Sequence, residues 1–244
     1  MTAGAGNDKV LWVTGAGSGM GAAAARQAAR TGWRVALSGR RVEALEEVAR
    51  TITDDGGQAL VLPLDVTDPE QIATVHDALV AEWGAIDGLV LSAGLNNPRR
   101  TWADQQLDDF AAIVDTNLIA VARVIDAALP QLRDSAGVVV IISSYAGWQF
   151  NPGAGVAYSA SKSALSAVAV SLNKQEARHG IRACHFCPGD VATDFLQQRP
   201  VVPDAQAQQV MLTADDIGRA VGFVLDAPPY VRVDELVISP VSQV

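Results

Sequence analysis

The segment Tyr158-Ser159-Ala160-Ser161-Lys162 opens a run with helical spacing over 158–179. Residues four apart share one helical face, so the phenol and the ammonium belong together. A lysine charge favours tyrosinate and lowers a pKa normally near ~10 toward the range where proton transfer works. The apolar run before it, over 138–143, reads as a strand and leads into Ser143-Ser144. Those hydroxyls would lie at the carboxyl edge of a sheet, where open α/β folds hold ligands.

A second group lies near the start: Thr14-Gly15-Ala16-Gly17-Ser18-Gly19-Met20-Gly21 follows an apolar run and precedes an alanine-rich helical segment. Glycines let the backbone turn tightly and approach a pyrophosphate, and the N–H groups of a helix start favour its charge. No Gly-Lys-Ser/Thr follows, so the turn is a dinucleotide signal and not a nucleoside-triphosphate loop. At the end of the next strand stand Ser38-Gly39-Arg40-Arg41. An NAD site would place an acid there for the ribose hydroxyls. Two guanidiniums in its place favour the 2′-phosphate of NADP(H) over NAD(H).

Cys184-His185-Phe186-Cys187 offers a metal or redox reading. It lies in a strand-like run, where residues three apart point to opposite faces, and no second pair completes a zinc site. These cysteines read as small buried residues, and no metal is expected.

The elements that must position these groups alternate. Strand-like runs at 10–14, 34–38, 59–64, 88–92, 138–143, 181–187 and 235–239 are apolar almost throughout. Helical patterns fill 19–31, 42–54, 69–83, 104–132, 158–179 and 215–225. This predicts right-handed βαβ units and an α/β, Rossmann-like, doubly wound fold. Its seven-stranded parallel sheet would be covered by helices on both faces. One domain over 1–244 accounts for the length, with a substrate-loop excursion at about 190–212 that carries Pro200 and Pro203. Thr67-Asp68-Pro69 is a helix start, and Thr213 with Asp216 resembles a capping box.

The 244 residues carry a formal net charge of −9 with 49% hydrophobic residues. The acidic balance argues against a nucleic-acid partner, and no apolar run approaches a membrane span. With no secretory leader recognisable in 1–9 and only two cysteines, the chain reads as soluble and cytoplasmic.

Taken in order, these motifs resemble the short-chain dehydrogenase/reductase family in its compact form, over nearly the whole chain. The family's T-G-x-x-x-G-x-G matches Thr14, Gly15, Gly19 and Gly21, and its Y-x-x-x-K matches Tyr158 and Lys162. Its strand-three acid matches Asp65, beside Val66, and its helix-four asparagine matches Asn117. Its nicotinamide turn P-G-x-V-x-T matches Pro188, Gly189, Val191 and Thr193. The resemblance implies an enzyme exchanging a hydride between NADP(H) and a small alcohol or carbonyl. Tyr158 would be the general acid/base, Ser144 would bond the reacting oxygen, and Lys162 would hold the cofactor ribose and bias Tyr158 toward tyrosinate. Asn117 would position a water linked to Lys162. The glycine turn, Arg40, Arg41, Asp65, Val66, Ala93, Gly94 and the turn from Pro188 to Thr193 would contact the cofactor.

Two departures stand out. The usual N-A-G after strand four is Ser92-Ala93-Gly94, so a hydroxyl replaces a bracing amide. The interval from Ser144 to Tyr158 is one residue longer than usual; Ser144 to Gly147 still fits the family's S-x-x-G, with Ser143 as the alternative. Tyr145, Trp148 and Phe150 would wall the substrate site or pack on neighbouring chains. Arg99-Arg100 reads as solvated surface or as a contact for an anionic group. Helices apolar around much of their circumference predict a homo-oligomer, a tetramer or dimer. Two rival readings are a 3-oxoacyl thioester reductase and a dinucleotide-sensing protein without catalysis.

Overall fold

The computed structural model describes residues 8–243. Its elements are β1 (Val10–Thr14), α1 (Gly19–Arg30), β2 (Arg34–Ser38), α2 (Val42–Asp54), β3 (Gln58–Val61), α3 (Pro69–Trp83) and β4 (Gly88–Leu91). These are followed by α4 (Leu107–Val114), α5 (Ala120–Ser135), β5 (Val138–Ile142), α6 (Tyr145–Trp148), α7 (Val156–Gln175), β6 (Arg182–Pro188), α8 (Ala205–Gln208), α9 (Ala214–Leu225) and β7 (Glu235–Ile238). All strand pairs are parallel, in the order β3-β2-β1-β4-β5-β6-β7.

Side chains alternate between two buried layers, as the two-residue period of a strand requires. On β1, Val10 and Trp12 join the layer under α3, α5 and α7, while Leu11 and Val13 join the layer under α1, α2 and α9. Trp12 is fully buried, and its indole Nε1 donates to Ser38 Oγ at 2.9 Å, so its one polar atom is satisfied. Chain order reverses between β1 and β4, and the crevice at their carboxyl ends is where such sheets bind ligands.

Local chemistry explains the boundaries. The Asp68 carboxylate accepts from the N–H groups of Glu70 and Gln71, Pro69 sits in the first turn, and Gly84 ends α3 at φ 74°. Thr213 and Asp216 form a reciprocal capping box at α9. Strand β3 stops at Val61, short of the expected 64, although Leu62 and Leu64 still donate to Leu37 and Gly39 carbonyls. Pro63 between them is tolerated because its nitrogen faces the open edge of this edge strand, away from β2. The helix expected over 104–132 begins at Leu107 and passes through a π turn, Asp115–Ile119, before α5. The Asp104 carboxylate instead accepts from Thr101 N and Oγ1, closing a turn ahead of the helix. The 190–212 excursion is pinned at its ends by a parallel bridge between Val191 and Leu212 and contains a 3₁₀ turn (Asp194–Gln198) and α8. Among the described residues, no helix is long and apolar enough to cross a membrane.

Candidate active site

Two cavities open along the carboxyl edge. The larger, about 620 Å³, is lined by Gly15, Gly17, Ser18, Gly19, Met20, Arg40, Arg41, Asp65, Val66, Ala93 and Gly94. The smaller, about 410 Å³, is lined by Ser143, Ser144, Tyr145, Tyr158, Pro188, Gly189, Val191 and Thr193. Met20, Thr193, Phe195 and Gln198 face both, so the cavities share a wall.

The glycine turn is shaped by close approach. Gly15 has φ 65°, and a Cβ there would lie 2.7 Å from the Ala93 nitrogen; one on Gly21 would lie 2.3 Å from the Gly15 oxygen. Nothing larger fits either position. Ser18 stands at the start of α1 in an extended conformation without capping it, which leaves helix N–H groups facing the cavity. Arg41 Nη2 donates to Ser18 Oγ at 2.8 Å, tying the guanidinium to the turn. Asp65 accepts from Thr67 N at 3.0 Å and from Thr67 Oγ1 at 2.7 Å. These two bonds, with a smaller contribution from the Arg40 charge, hold its carboxyl below the usual range. Where the resembling family has asparagine, Ser92 lines the same cavity, and Thr14 Oγ1 meets the Ala93 N–H at 3.5 Å.

The neighbouring serines divide their work. Ser143 is buried and its Oγ donates to the Lys162 carbonyl at 2.9 Å. Ser144 Oγ accepts from Ala146 N at 3.2 Å, capping α6, and its hydroxyl near Tyr158 pulls the phenol's pKa down. Lys162 is buried; its Nζ donates to the Ile142 carbonyl at 2.8 Å and lies 5.8 Å from the centre of the Tyr158 ring. Burial lowers its pKa to about 8.

Sequence spacing implies a depressed Tyr158 pKa, and here the direction is reversed. Burial pushes it above its usual value, against smaller lowering effects from Ser144, Arg100 and Arg199. The lysine responsible for the expectation bonds a carbonyl and is itself weakened as a cation by burial. Asn117 is fully buried on the π turn, a local distortion frequent at functional sites. Its Nδ2 donates to Leu95 O at 2.9 Å and Ser161 Oγ at 3.1 Å, and its Oδ1 accepts from Leu95 N at 2.7 Å. It braces the strand-four loop against α7. A Cβ on Gly94 would sit 3.6 Å from Asn117 Oδ1 and 3.7 Å from Lys162 Nζ, so the two polar groups flank that glycine.

Two expectations need correcting. Trp148 and Phe150 are 48% and 67% exposed and do not line the smaller cavity; Trp148 packs edge-on against Tyr145 on its outer side, with ring centres 5.3 Å apart. Of the three aromatic residues, only Tyr145 faces in. Arg99 is a surface residue paired with Asp109, but Arg100 is buried in the cavity wall. Arg199, Asn96 and Gln243 also line this wall and were not singled out by sequence. Position in the 190–212 excursion was the available signal for Arg199; Gln243 gave none. Cys184 and Cys187 are both buried, and burial raises each thiol to about 12. His185, Cys187 and Glu235 lie close enough for metal ligation. The Cys187 sulfur lies 3.4 and 3.6 Å from the two His185 ring nitrogens, and Nδ1 meets Glu235 at 2.9 Å.

Residues 9–201 match the short chain dehydrogenase family model. The chain is 31% identical over 247 residues to an uncharacterized oxidoreductase of Listeria monocytogenes, covering 97% of this chain and 98% of that one. It is 35% identical over 241 residues to a glycine betaine reductase of Emericella nidulans, covering 95% of this chain but spanning only 19% of that longer protein. An alcohol dehydrogenase from the archaeon Thermococcus sibiricus, solved with 5-hydroxy-NADP, superposes with a TM-score of 0.87 at 29% identity, covering 96% and 97% of the two chains. With the glycine turn, the Ser144–Tyr158–Lys162 arrangement and the seven-stranded sheet all in place, the chain belongs to the short-chain dehydrogenase/reductase family of oxidoreductases.

Proposed function

We propose that this oxidoreductase moves a hydride between NADP(H) and a small alcohol or carbonyl compound, with Tyr158 as the general acid/base. The observation that carries the reading is the shared wall: the cavity holding Ser144 and Tyr158 adjoins the glycine-turn cavity through Met20, Thr193, Phe195 and Gln198. A dinucleotide fits the larger cavity chemically. Gly15 and Gly21 admit no Cβ, helix N–H groups face inward, and two guanidiniums stand at the far end. Arg40 and Arg41, with no acid at the end of β2, favour a 2′-phosphate.

When bound, the nicotinamide supplies or accepts the hydride. Ser144 donates to the substrate oxygen and stabilises charge that builds there. Tyr158 exchanges the proton on the same oxygen. Lys162 holds positive charge behind the phenol, and Asn117 fixes the loop carrying Ala93 and Gly94. The solved relative from Thermococcus sibiricus, an alcohol dehydrogenase with an NADP derivative, supports both the cofactor and the substrate class. The reading extends to a homo-oligomer, for which exposed Ile119 and Val170 on the helical layer are the support; light scattering showing a monomer at micromolar concentration would contradict it.

The test is a panel of alcohols with NADP⁺ and carbonyls with NADPH, each repeated with the non-phosphorylated cofactor. Turnover with a higher kcat/KM for the phosphorylated cofactor is expected. No turnover across the panel, or a clear preference for NADH, would overturn it.

A further inference from the structure

The smaller cavity carries a charge that hydride transfer between neutral molecules does not need. Its wall contains two guanidiniums, Arg100 and Arg199, and one carboxylate, Asp190. Asp190 is already paired with Arg199. Arg100 is only 7% exposed, and among the described residues it bonds no carboxylate. Its Nε donates to Asn97 O at 2.8 Å, its Nη1 to Gly153 O at 3.3 Å and its Nη2 to the Gln198 carbonyl. A guanidinium has five N–H donors, so one on each terminal nitrogen is left over.

Those three bonds make Arg100 a staple between the loop after β4, the loop before α7 and the 3₁₀ turn of the excursion. That accounts for its position but not for its charge, because neutral donors could bond carbonyls without the cost of burying a cation. The side chain is also held firmly: a Cβ on Gly155 would lie 2.5 Å from the Arg100 Cβ. Both guanidiniums act on the Tyr158 hydroxyl, Arg100 more than Arg199, so their charge lies within range of the reacting atoms. A buried cation with no counter-ion, two free donors and an open cavity before it is a site whose counter-ion arrives with the ligand.

We propose that the substrate is a small hydroxy or oxo acid whose carboxylate is held by Arg100, with Arg199 beside it, while its reacting oxygen meets Ser144 and Tyr158. This rests on the proposed hydride transfer. In the oxidising direction the carbinol carbon loses its hydride to the nicotinamide, the phenol of Tyr158 releases its own proton to solvent and takes the hydroxyl proton in its place, and the carboxylate is unchanged. The cavity of about 410 Å³ is lined by the turn from Pro188 to Thr193, proposed above to border the nicotinamide, and the remaining space suits a short acid.

The experiment compares matched pairs with NADP⁺: lactate and 3-hydroxybutyrate in both enantiomers, each against its methyl ester. At least one acid should exceed its ester tenfold or more in kcat/KM, through KM. Arg100→Gln should bring that ratio close to one. Should thermal melting show that Arg100→Gln is unfolded, Arg199→Gln should reduce the ratio severalfold. Dihydroxyacetone phosphate with NADPH forms the phosphate arm. Esters equal to or better than acids in every pair, or a phosphate favoured over every acid, would overturn the carboxylate assignment while leaving hydride transfer intact. Calorimetric titration of the same acids and esters, with NADP⁺ present, reads the site without turnover. Tighter binding of an acid than its ester in a protein that oxidises nothing would retain the anion site and sink the hydride reading instead.

Discussion

Replacing Ser144 and Ser143 separately by alanine tests the division of labour between two adjacent hydroxyls. Ser144 Oγ accepts from Ala146 N at 3.2 Å, which leaves its O–H to donate toward the reacting oxygen. Loss of one such donor lowers kcat by roughly 10²–10³, or ~2.7–4 kcal/mol of transition-state stabilisation. The same change removes the α6 cap, worth ~1 kcal/mol, which in a chain of this size lowers Tm by only ~2–4 °C. Ser143→Ala works the other way. It takes the buried donor at 2.9 Å from the Lys162 carbonyl, which keeps its helical partner inside α7, so the loss is one hydrogen bond, ~0.5–1.5 kcal/mol. Its Tm should fall by about 1–6 °C while kcat stays at least about tenfold above that of Ser144→Ala. The assay is steady-state oxidation of NADPH with the best carbonyl of the panel, beside calorimetric melting of each variant. Wild-type kcat in Ser144→Ala, or the larger kcat loss in Ser143→Ala, would refute the assignment.

Other perturbations follow from the same geometry. Arg40→Asp with Arg41→Asp should lower the NADPH-to-NADH ratio of kcat/KM by tenfold or more; an unchanged ratio would remove these residues from cofactor choice. Gly21→Ala puts a Cβ 2.3 Å from the Gly15 carbonyl oxygen and should abolish NADPH binding measured by fluorescence, whereas binding at wild-type affinity would mean the turn is not the dinucleotide site. Burial lowers the folded-state pKa of Lys162 from 10.5 to about 8, so below pH 8 the full penalty of holding it charged, on the order of 3 kcal/mol, opposes folding. As pH rises from 8 to 10.5 the unfolded chain keeps the proton longer and the penalty is recovered. Lys162→Met should therefore raise Tm at pH 7, with the gain shrinking toward pH 10, and a gain that grows with pH would contradict the burial argument.

Local signals made the scaffold readable. The start and stop of α3 were visible because Asp68, Pro69 and Gly84 act on their own neighbours, and β1 and β2 because their apolar runs end at glycine turns. The end of β3 was overrun because the apolar run continues through Leu62 and Leu64, whose N–H groups still reach the Leu37 and Gly39 carbonyls after the regular strand has stopped at Val61. At the site, Tyr158 and Lys162 stood out by their spacing and Ser144 by the family resemblance, but the upward pull on Tyr158 did not show, since burial is set by packing and only the nearby lysine shows in sequence. Arg100 was hidden for the same reason: two of its three partner carbonyls lie 53 and 98 positions away. Trp148 and Phe150 misled because an aromatic residue beside a site carries no mark of which way the loop turns it.

The four residues facing both cavities limit how this enzyme can diversify. Met20, Thr193, Phe195 and Gln198 cannot be altered to admit a different substrate without also disturbing the wall of the cavity proposed for the cofactor. Tyr145, Asn151 and Gly153 line the smaller cavity alone and are free of that double duty. Drift in substrate choice should therefore accumulate on the loop between β5 and α7, while the early part of the excursion stays tethered by the cofactor. Directed evolution that seeks a new substrate at constant cofactor affinity has its productive positions on that one side of the pocket.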